Sequence, residues 1–339
     1  MLLRRLPVCI AAATFAALPA VANAALYITI VQGLGGQPQY DADFVDARQK
    51  IVAASESMTD KDKVTSFTGE AATRDAVMKH FSALSKKMTA DDRAALYLVG
   101  HGSFDGETYK FNIPGPDLTA ADFRKIVDDL PGRNHFIVNT SSTSGAMLET
   151  LVGKGDDAKS EDFIVIAATR NGNERNATHF GRYFAEALTS KEADLNKNNS
   201  VSVQEAFDYA DQHVTAFFED DGKLATEHPQ LRGDGAAQFN LARLNAVELQ
   251  QELATADAGL AELLQRRAEL DAQIEDLQVR RNEFSNADYL SRLQTLILQS
   301  AELAEQIDAA QKDSGATIKP ELELDIPAPT VPAGGGNAL

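Results

Sequence analysis

Five short apolar runs, each stopped by turn-forming residues and separated from the next by a longer polar or amphipathic segment, constrain this chain more than any other feature. They are residues 26–31, 63–67, 94–99, 136–139 and 163–167. Segments 43–54, 73–87, 119–129 and 178–188 carry apolar residues at helical spacing. Strands alternating with helices predict an α/β domain over residues 25–240, with a mainly parallel sheet covered by helices on both faces. A stretch of that length can bury a single large core.

Two of the runs end in polar clusters. Residues 94–99 lead into Gly100-His101-Gly102-Ser103, and 136–139 lead into Thr140-Ser141-Ser142-Thr143-Ser144-Gly145. In an open α/β sheet the ligand crevice lies outside the carboxyl ends of the strands, so His101 and one of these hydroxyls are candidate partners. A plainer role is open for each. The hydroxyls can cap a helix that starts near Gly145, and His101 can be an ordinary hydrogen-bonding residue of the rim.

The N-terminus is read separately. Arg4-Arg5, an apolar stretch from Leu6 to Val21 and Ala22-Asn23-Ala24 have the layout of a secretory signal peptide over residues 1–24. The expected destination is the periplasm or the cell exterior. The stretch is shorter than the ~20 apolar residues that span a bilayer, and no later segment qualifies, so no transmembrane segment is expected after cleavage. The single cysteine, Cys9, lies in this leader, which removes disulfides and thiol chemistry from the mature chain. The formal charge of −18 becomes −20 when Arg4 and Arg5 leave with the leader. That charge argues against nucleic-acid partners.

Beyond residue 240 the composition shifts to Leu, Ala, Glu, Gln and Arg. Leu249, Leu253, Ala256, Leu260, Leu263, Arg267, Leu270, Ile274, Leu277, Arg281 and Phe284 step by four and three, the signature of a coiled-coil seam. A break at 282–288 precedes a second run through Tyr289, Leu293, Leu296, Ser300, Leu303, Ile307 and Ala310. The economical reading is a helical hairpin over 241–313, which either packs on the domain or supports homo-oligomerisation. Residues 314–339, rich in Pro and Gly, are expected to be disordered.

Residues 194–205 match an EF-hand loop. Asp194, Asn196, Asn198, Ser200 through its carbonyl, Ser202 and Glu205 fall at positions one, three, five, seven, nine and twelve. Asn199 takes the place of the usual glycine and tolerates the left-handed conformation needed there. With two carboxylates the expected ligand is calcium at an affinity of ~10⁻⁴ to 10⁻³ M. An Asx-rich turn capping the helix near Ser202 is the alternative.

With these motifs in view, residues 26–188 resemble the caspase-like cysteine peptidases, most closely the legumain type. That family carries a His-Gly pair after one strand and an Ala-Cys-Glu-Ser-Gly segment after the next. His101-Gly102 corresponds to the first and Ser141-Ser142-Thr143-Ser144-Gly145 to the second. The resemblance implies His101 as general base, the Gly102 amide in the oxyanion hole, and Ser142 in the nucleophile's place. An alcohol there lacks the thiolate chemistry of cysteine and needs its proton removed by a closely bonded base. Where the legumain type has Asn-Tyr-Arg-His, this chain has Gln39-Tyr40-Asp41-Ala42, which would reverse the charge of the substrate pocket.

Three functions follow as expectations. One is a catalytically impaired peptidase that binds a peptide or protein partner. Another is a hydrolase with a Ser142/His101 dyad. The third is an envelope scaffold working through its coiled coil.

Overall fold

The computed structural model describes residues 24–153, 163–220, 222–246, 251, 256 and 258–314, and it turns the five apolar runs into adjacent strands of one sheet. The chain begins with β1 (Leu26–Gln32), α1 (Pro38–Met58), β2 (Val64–Phe67), α2 (Arg74–Lys87) and β3 (Arg93–Val99). Three short strands follow, β4 (Gly102–Phe104), β5 (Tyr109–Phe111) and β6 (Leu118–Thr119). Then come α3 (Ala120–Asp129), β7 (His135–Asn139), α4 (Leu148–Val152), β8 (Phe163–Ala167), α5 (Phe180–Ala187), β9 (Ser200–Ser202), α6 (Val203–Asp220), β10 (Gln230–Arg232) and β11 (Asn240–Arg243). Two long helices, α7 (Ala258–Val279) and α8 (Asn286–Ser314), complete it. Residues 1–23 of the expected leader, residues 315–339 of the expected tail and seam positions 249 and 253 lie outside the described residues, while Ser314, expected in the tail, is the last residue of α8.

The sheet runs β2-β1-β3-β7-β8-β10, parallel throughout except for β10, which pairs antiparallel with β8 at one edge. Side chains alternate between its faces, as the period of two requires. Ile28, Ile30, Tyr97, Val99, Phe136, Val138, Ile164 and Ile166 pack toward α1, α5 and α6. Tyr27, Val31, Leu96, Leu98, Ile137, Phe163 and Val165 pack toward α2, α3 and α4. Both faces are thus buried, which is why these strands read as continuous apolar runs. Each such side chain contributes roughly 1.5–3 kcal/mol by leaving water.

Local signals set the helix starts. Pro38 occupies the first turn of α1, Thr73 caps α2 by accepting from Ala76 N, and Thr119 and Asp122 form a reciprocal capping box on α3. Arg74 holds the same Asp122 with two hydrogen bonds, of 2.9 and 2.6 Å, and so joins α2 to α3. Strand β11 pairs antiparallel with β9 and ends at Arg243.

Helices α7 and α8 form the expected hairpin, with Leu260, Leu264, Leu270, Leu303 and Ile307 buried between them. Its turn, a 3-10 segment at residues 281–283, overlaps the start of the predicted break, and α8 begins within that break at Asn286. The hairpin docks on the domain. Glu275 lies 3.7 Å from Arg93 and 3.5 Å from Arg243, and Arg280 lies 3.2 Å from Asp91. Arg93 opens β3, so this contact lies at the amino ends of the parallel strands, opposite the end where His101 sits. No helix among the described residues is long and apolar enough to cross a membrane.

Candidate functional site

Strand order reverses between β1 and β3: the chain leaves β1 for β2 on one side, and the later parallel strands add on the other. Such a switch point opens a crevice at the carboxyl ends of the two strands. The loop after β1, Gly33 to Gln37, and the segment after β3, Gly100 to Ser103, meet there. Gly33 N donates to Val99 O at 2.9 Å, and Phe111 of β5 fills the space that a side chain on Gly33 or Gly100 would need. Thr140, at the end of β7, donates to Leu98 O through both its amide and its hydroxyl, which places the Ser141–Ser144 segment beside the same rim.

His101 is half-buried at this junction. Its Nε2 lies 3.1 Å from Gly35 O. A carbonyl only accepts, so Nε2 carries the proton and Nδ1 of the neutral ring is the lone-pair nitrogen. Tyr40 and Phe44 of α1 meet the imidazole edge to face at 4.8 and 5.0 Å between centroids and hold its plane.

The four hydroxyls have four distinct environments. Ser141 is fully buried, donates to Asn139 Oδ1 at 2.9 Å and lies 2.7 Å from Tyr109 Oη, while Asn139 Nδ2 also donates to Tyr109 Oη at 2.7 Å. Burial pushes the Tyr109 phenol well above its ordinary pKa. Ser144 Oγ pairs with Thr169 Oγ1 at 3.3 Å. Thr143 takes the left-handed conformation, φ 57°, and its buried hydroxyl has no hydrogen-bond partner among the described residues. A β-branched residue with positive φ is strained, and such strain clusters at functional sites. Ser142 Oγ donates to Gly102 O at 3.0 Å. The expected helix-capping role is not met, since the 3-10 turn at residues 144–147 has no side-chain cap and Gly145 N is satisfied by Thr169 Oγ1 at 2.9 Å.

Gly102 can be oriented from the strand ladder. Asn112 N donates to His101 O at 3.0 Å, and Gly102 stands opposite Phe111. Bonded and non-bonded pairs alternate along antiparallel strands, so Gly102 belongs to a non-bonded pair and turns its N–H and C=O together away from β5. Its C=O meets Ser142, so its N–H faces the same side. A Cβ at this position would fall 2.4 Å from Ser141 Oγ and 2.5 Å from Ser142 O, which only glycine avoids. The structure therefore brings Ser142 against Gly102 and His101 against Gly35. No hydrogen bond joins Ser142 to His101 among the described residues.

Several rim residues carried no local sequence signal. Antiparallel β10 brings Glu227 and His228 to the carboxyl end of β8. His228 Nδ1 pairs with Glu174 Oε1 at 2.6 Å, and Glu174 O accepts from Thr143 N at 2.9 Å, tying this strand entry to the Ser142 loop. Glu227 is 2% exposed and accepts from His179 N and Phe180 N at the start of α5. Burial pushes its carboxyl up to about 7 against those two amides. Only a tertiary contact could have revealed this cap, because it lies nearly fifty residues from the helix it serves.

The loop at 194–205 folds at a distance in sequence from the rim. Asn199 takes the left-handed conformation expected at the sixth position, φ 60°, and Lys197 shares it, φ 57°. Asp194 accepts from Asn198 N and Asn199 N, Asn196 from Asn198 N, and Asn198 from Ser200 N. Glu205 turns into the loop, accepting from Leu195 N and Asn196 N through one oxygen and from Ser202 N and Oγ through the other. Ser202 Oγ accepts from Glu205 N in return, so the capping alternative is present as a capping box on α6. Burial, and then the Glu205 charge, raise the Asp194 carboxyl above its ordinary pKa.

No protein-family model and no curated protein matches the chain. Among solved structures, it is similar to a structural-genomics protein of Geobacter sulfurreducens at 12% identity and a TM-score of 0.43, over 65% of this chain and 97% of that one. It is similar to caspase-1 of Spodoptera frugiperda at 12% identity and a TM-score of 0.39, over 62% of this chain and 87% of the other. The pro-form of sf-caspase-1 gives 12%, 0.37, 62% and 91% in the same order.

Proposed function

We propose that the α/β domain is an exported, caspase-like module that binds an extended peptide or protein segment in the crevice between His101 and Ser142, with proteolysis impaired. The observation that carries this reading is the direction of the Ser142 hydroxyl, which donates to Gly102 O rather than to the imidazole. An alcohol becomes a nucleophile only when a base takes its proton in the transition state, and a proton committed to a carbonyl has no such acceptor. The Gly102 N–H and the lone pair of His101 Nδ1 are the polar groups such a segment would meet.

The second reading is a hydrolase. It is favoured by the His101 tautomer, which leaves Nδ1 able to accept a proton, and by the Gly102 N–H facing Ser142 as an oxyanion donor would. The two readings differ in where the Ser142 hydroxyl points, so activity decides between them. Wild type, His101→Ala and Ser142→Cys are compared for cleavage and for binding of a peptide library. The binding module is expected to retain peptides without cleaving them and to gain cleavage only as Ser142→Cys. Cleavage by wild type that is lost in His101→Ala would replace it with the hydrolase.

Calcium at Asp194, Asn196, Asn198, Ser200, Ser202 and Glu205 is part of the proposal. The loop's own turns support it, with Asp194 and Glu205 both accepting from loop amides and Asn199 left-handed at the sixth position. Homo-oligomerisation through the hairpin is a further reading of the exposed Leu290, Ile297 and Leu298 on α8. The scaffold role stands or falls with the oligomeric state of the full chain.

A further inference from the structure

We infer that Asp41 is a positioning residue for His101, acting through the backbone of Gly35. Asp41 Oδ1 accepts from Gly35 N at 3.1 Å, and Gly35 O accepts from His101 Nε2 at 3.1 Å. The two contacts make a chain from the first turn of α1 to the imidazole. The inference rests on His101 being the proton-accepting group of the crevice, as proposed above.

The loop between β1 and α1 has little else to hold it. Gly33, Gly35 and Gly36 bring no side chains, and Leu34 is exposed. Three successive amides instead tie it down, each to a different element: Gly33 N to Val99 O, Leu34 N to Asn112 O, and Gly35 N to Asp41 Oδ1. The first two reach the backbones of β3 and the residue after β5, which the core keeps in place. The third alone depends on a side chain, and it acts on the residue whose carbonyl orients His101. Beyond it Gly36 adopts φ 72° with open space around it.

Asp41 is one residue from Tyr40, whose ring meets His101 at 4.8 Å. The same helical turn therefore sets the imidazole plane directly and the Nε2 acceptor through Gly35. Glycine is required for this approach, because a Cβ at position 35 would lie 2.1 Å from Asp41 Oδ1. The expectation that Asp41 brings a reversed charge to a substrate pocket is separate from this contact, which uses one carboxylate oxygen and leaves the charge in place. Because Asp41 is exposed, its charge is screened and its effect is geometric. Asparagine, whose amide oxygen can accept in the same place, should substitute.

The test uses the His101 Nε2 proton, whose NMR resonance is visible when a hydrogen bond slows its exchange with water. It requires no activity, so failure of the peptide-binding reading and failure of this inference are separately observed. The resonance is expected in wild type and in Asp41→Asn and is expected to be lost in Asp41→Ala, with the amide spectrum confirming that the variant is folded. Its persistence in Asp41→Ala, or its loss in Asp41→Asn, would overturn the inference, as would its absence from wild type. If Asp41→Ala does not fold, Asp41→Leu carries the same test, because its side chain offers Gly35 N no acceptor. In a peptide-binding assay, affinity should fall in Asp41→Ala and be restored in Asp41→Asn.

Discussion

His101 donates through Nε2 to the carbonyl of Gly35, at 3.1 Å, and this bond fixes which imidazole nitrogen can take a proton. It also joins the two loops that flank the switch point of the sheet. The crevice is therefore organised by backbone acceptors, with aromatic rings from α1 behind the imidazole and a buried hydroxyl network beneath the Ser142 loop.

That network should be sensitive to one atom. Tyr109 Oη meets both Ser141 Oγ and Asn139 Nδ2, all buried. Tyr109→Phe leaves these groups short of a partner while preserving the ring, and should cost ~1–3 kcal/mol in urea denaturation. An unchanged midpoint would show that the network does not brace the rim.

Glu227 should make stability depend on pH. Its carboxyl is raised from 4.5 to about 7 in the folded protein, chiefly by burial. Between those values the folded state binds a proton that the unfolded state does not. This contribution is fully present below pH 4.5 and is lost as pH rises through 7, with a span of roughly 3 kcal/mol. Glu227→Gln should remove that part of the slope, because a neutral amide does not titrate. If the difference in stability between wild type and variant is constant from pH 4.5 to 7, Glu227 is not the titrating group.

Calcium should stabilise the loop at 194–205. At a free concentration ten times the dissociation constant, linkage predicts about 1.4 kcal/mol and a corresponding rise in Tm. Glu205→Gln removes one of two carboxylates and should abolish the rise. No shift of wild type at millimolar calcium would leave the loop as a capping turn alone.

Glu275 should hold the hairpin to the domain. Its carboxylate and the Arg93 guanidinium are both about nine-tenths buried. Glu275→Ala leaves Arg93 a buried cation without that partner, with an expected cost on the order of 3 kcal/mol. Limited proteolysis of α7 and α8 should accelerate in step. Equal proteolysis rates would mean that apolar contacts alone dock the hairpin.

What was legible in the sequence was whatever depends on neighbours along the chain. The apolar runs, the helical spacing, the His-Gly and Ser/Thr clusters at strand ends, the left-handed Asn199 and the hairpin break at 282–288 all follow from short-range periodicity and backbone preference. Strands β4, β5 and β6 were missed because two or three residues make no periodic signal, although β5 supplies Tyr109 and Phe111 to the rim. Leu263 and Leu264 lie three and four residues from Leu260 and fit the stepping equally, and only packing against α8 makes Leu264 the more buried.

By itself the sequence determined an α/β domain with a two-sided core, a rim carrying His101 and four hydroxyls, and a helical hairpin, since patterns of two and 3.6 residues specify which faces must be buried. Only the tertiary structure decided that Ser142 turns to Gly102, that Gly35 receives His101, that Glu227 caps α5 and that the hairpin docks opposite the crevice. Each of these is a contact between segments brought together by the strand order, and hydrogen-bond direction and burial have no image in a linear pattern.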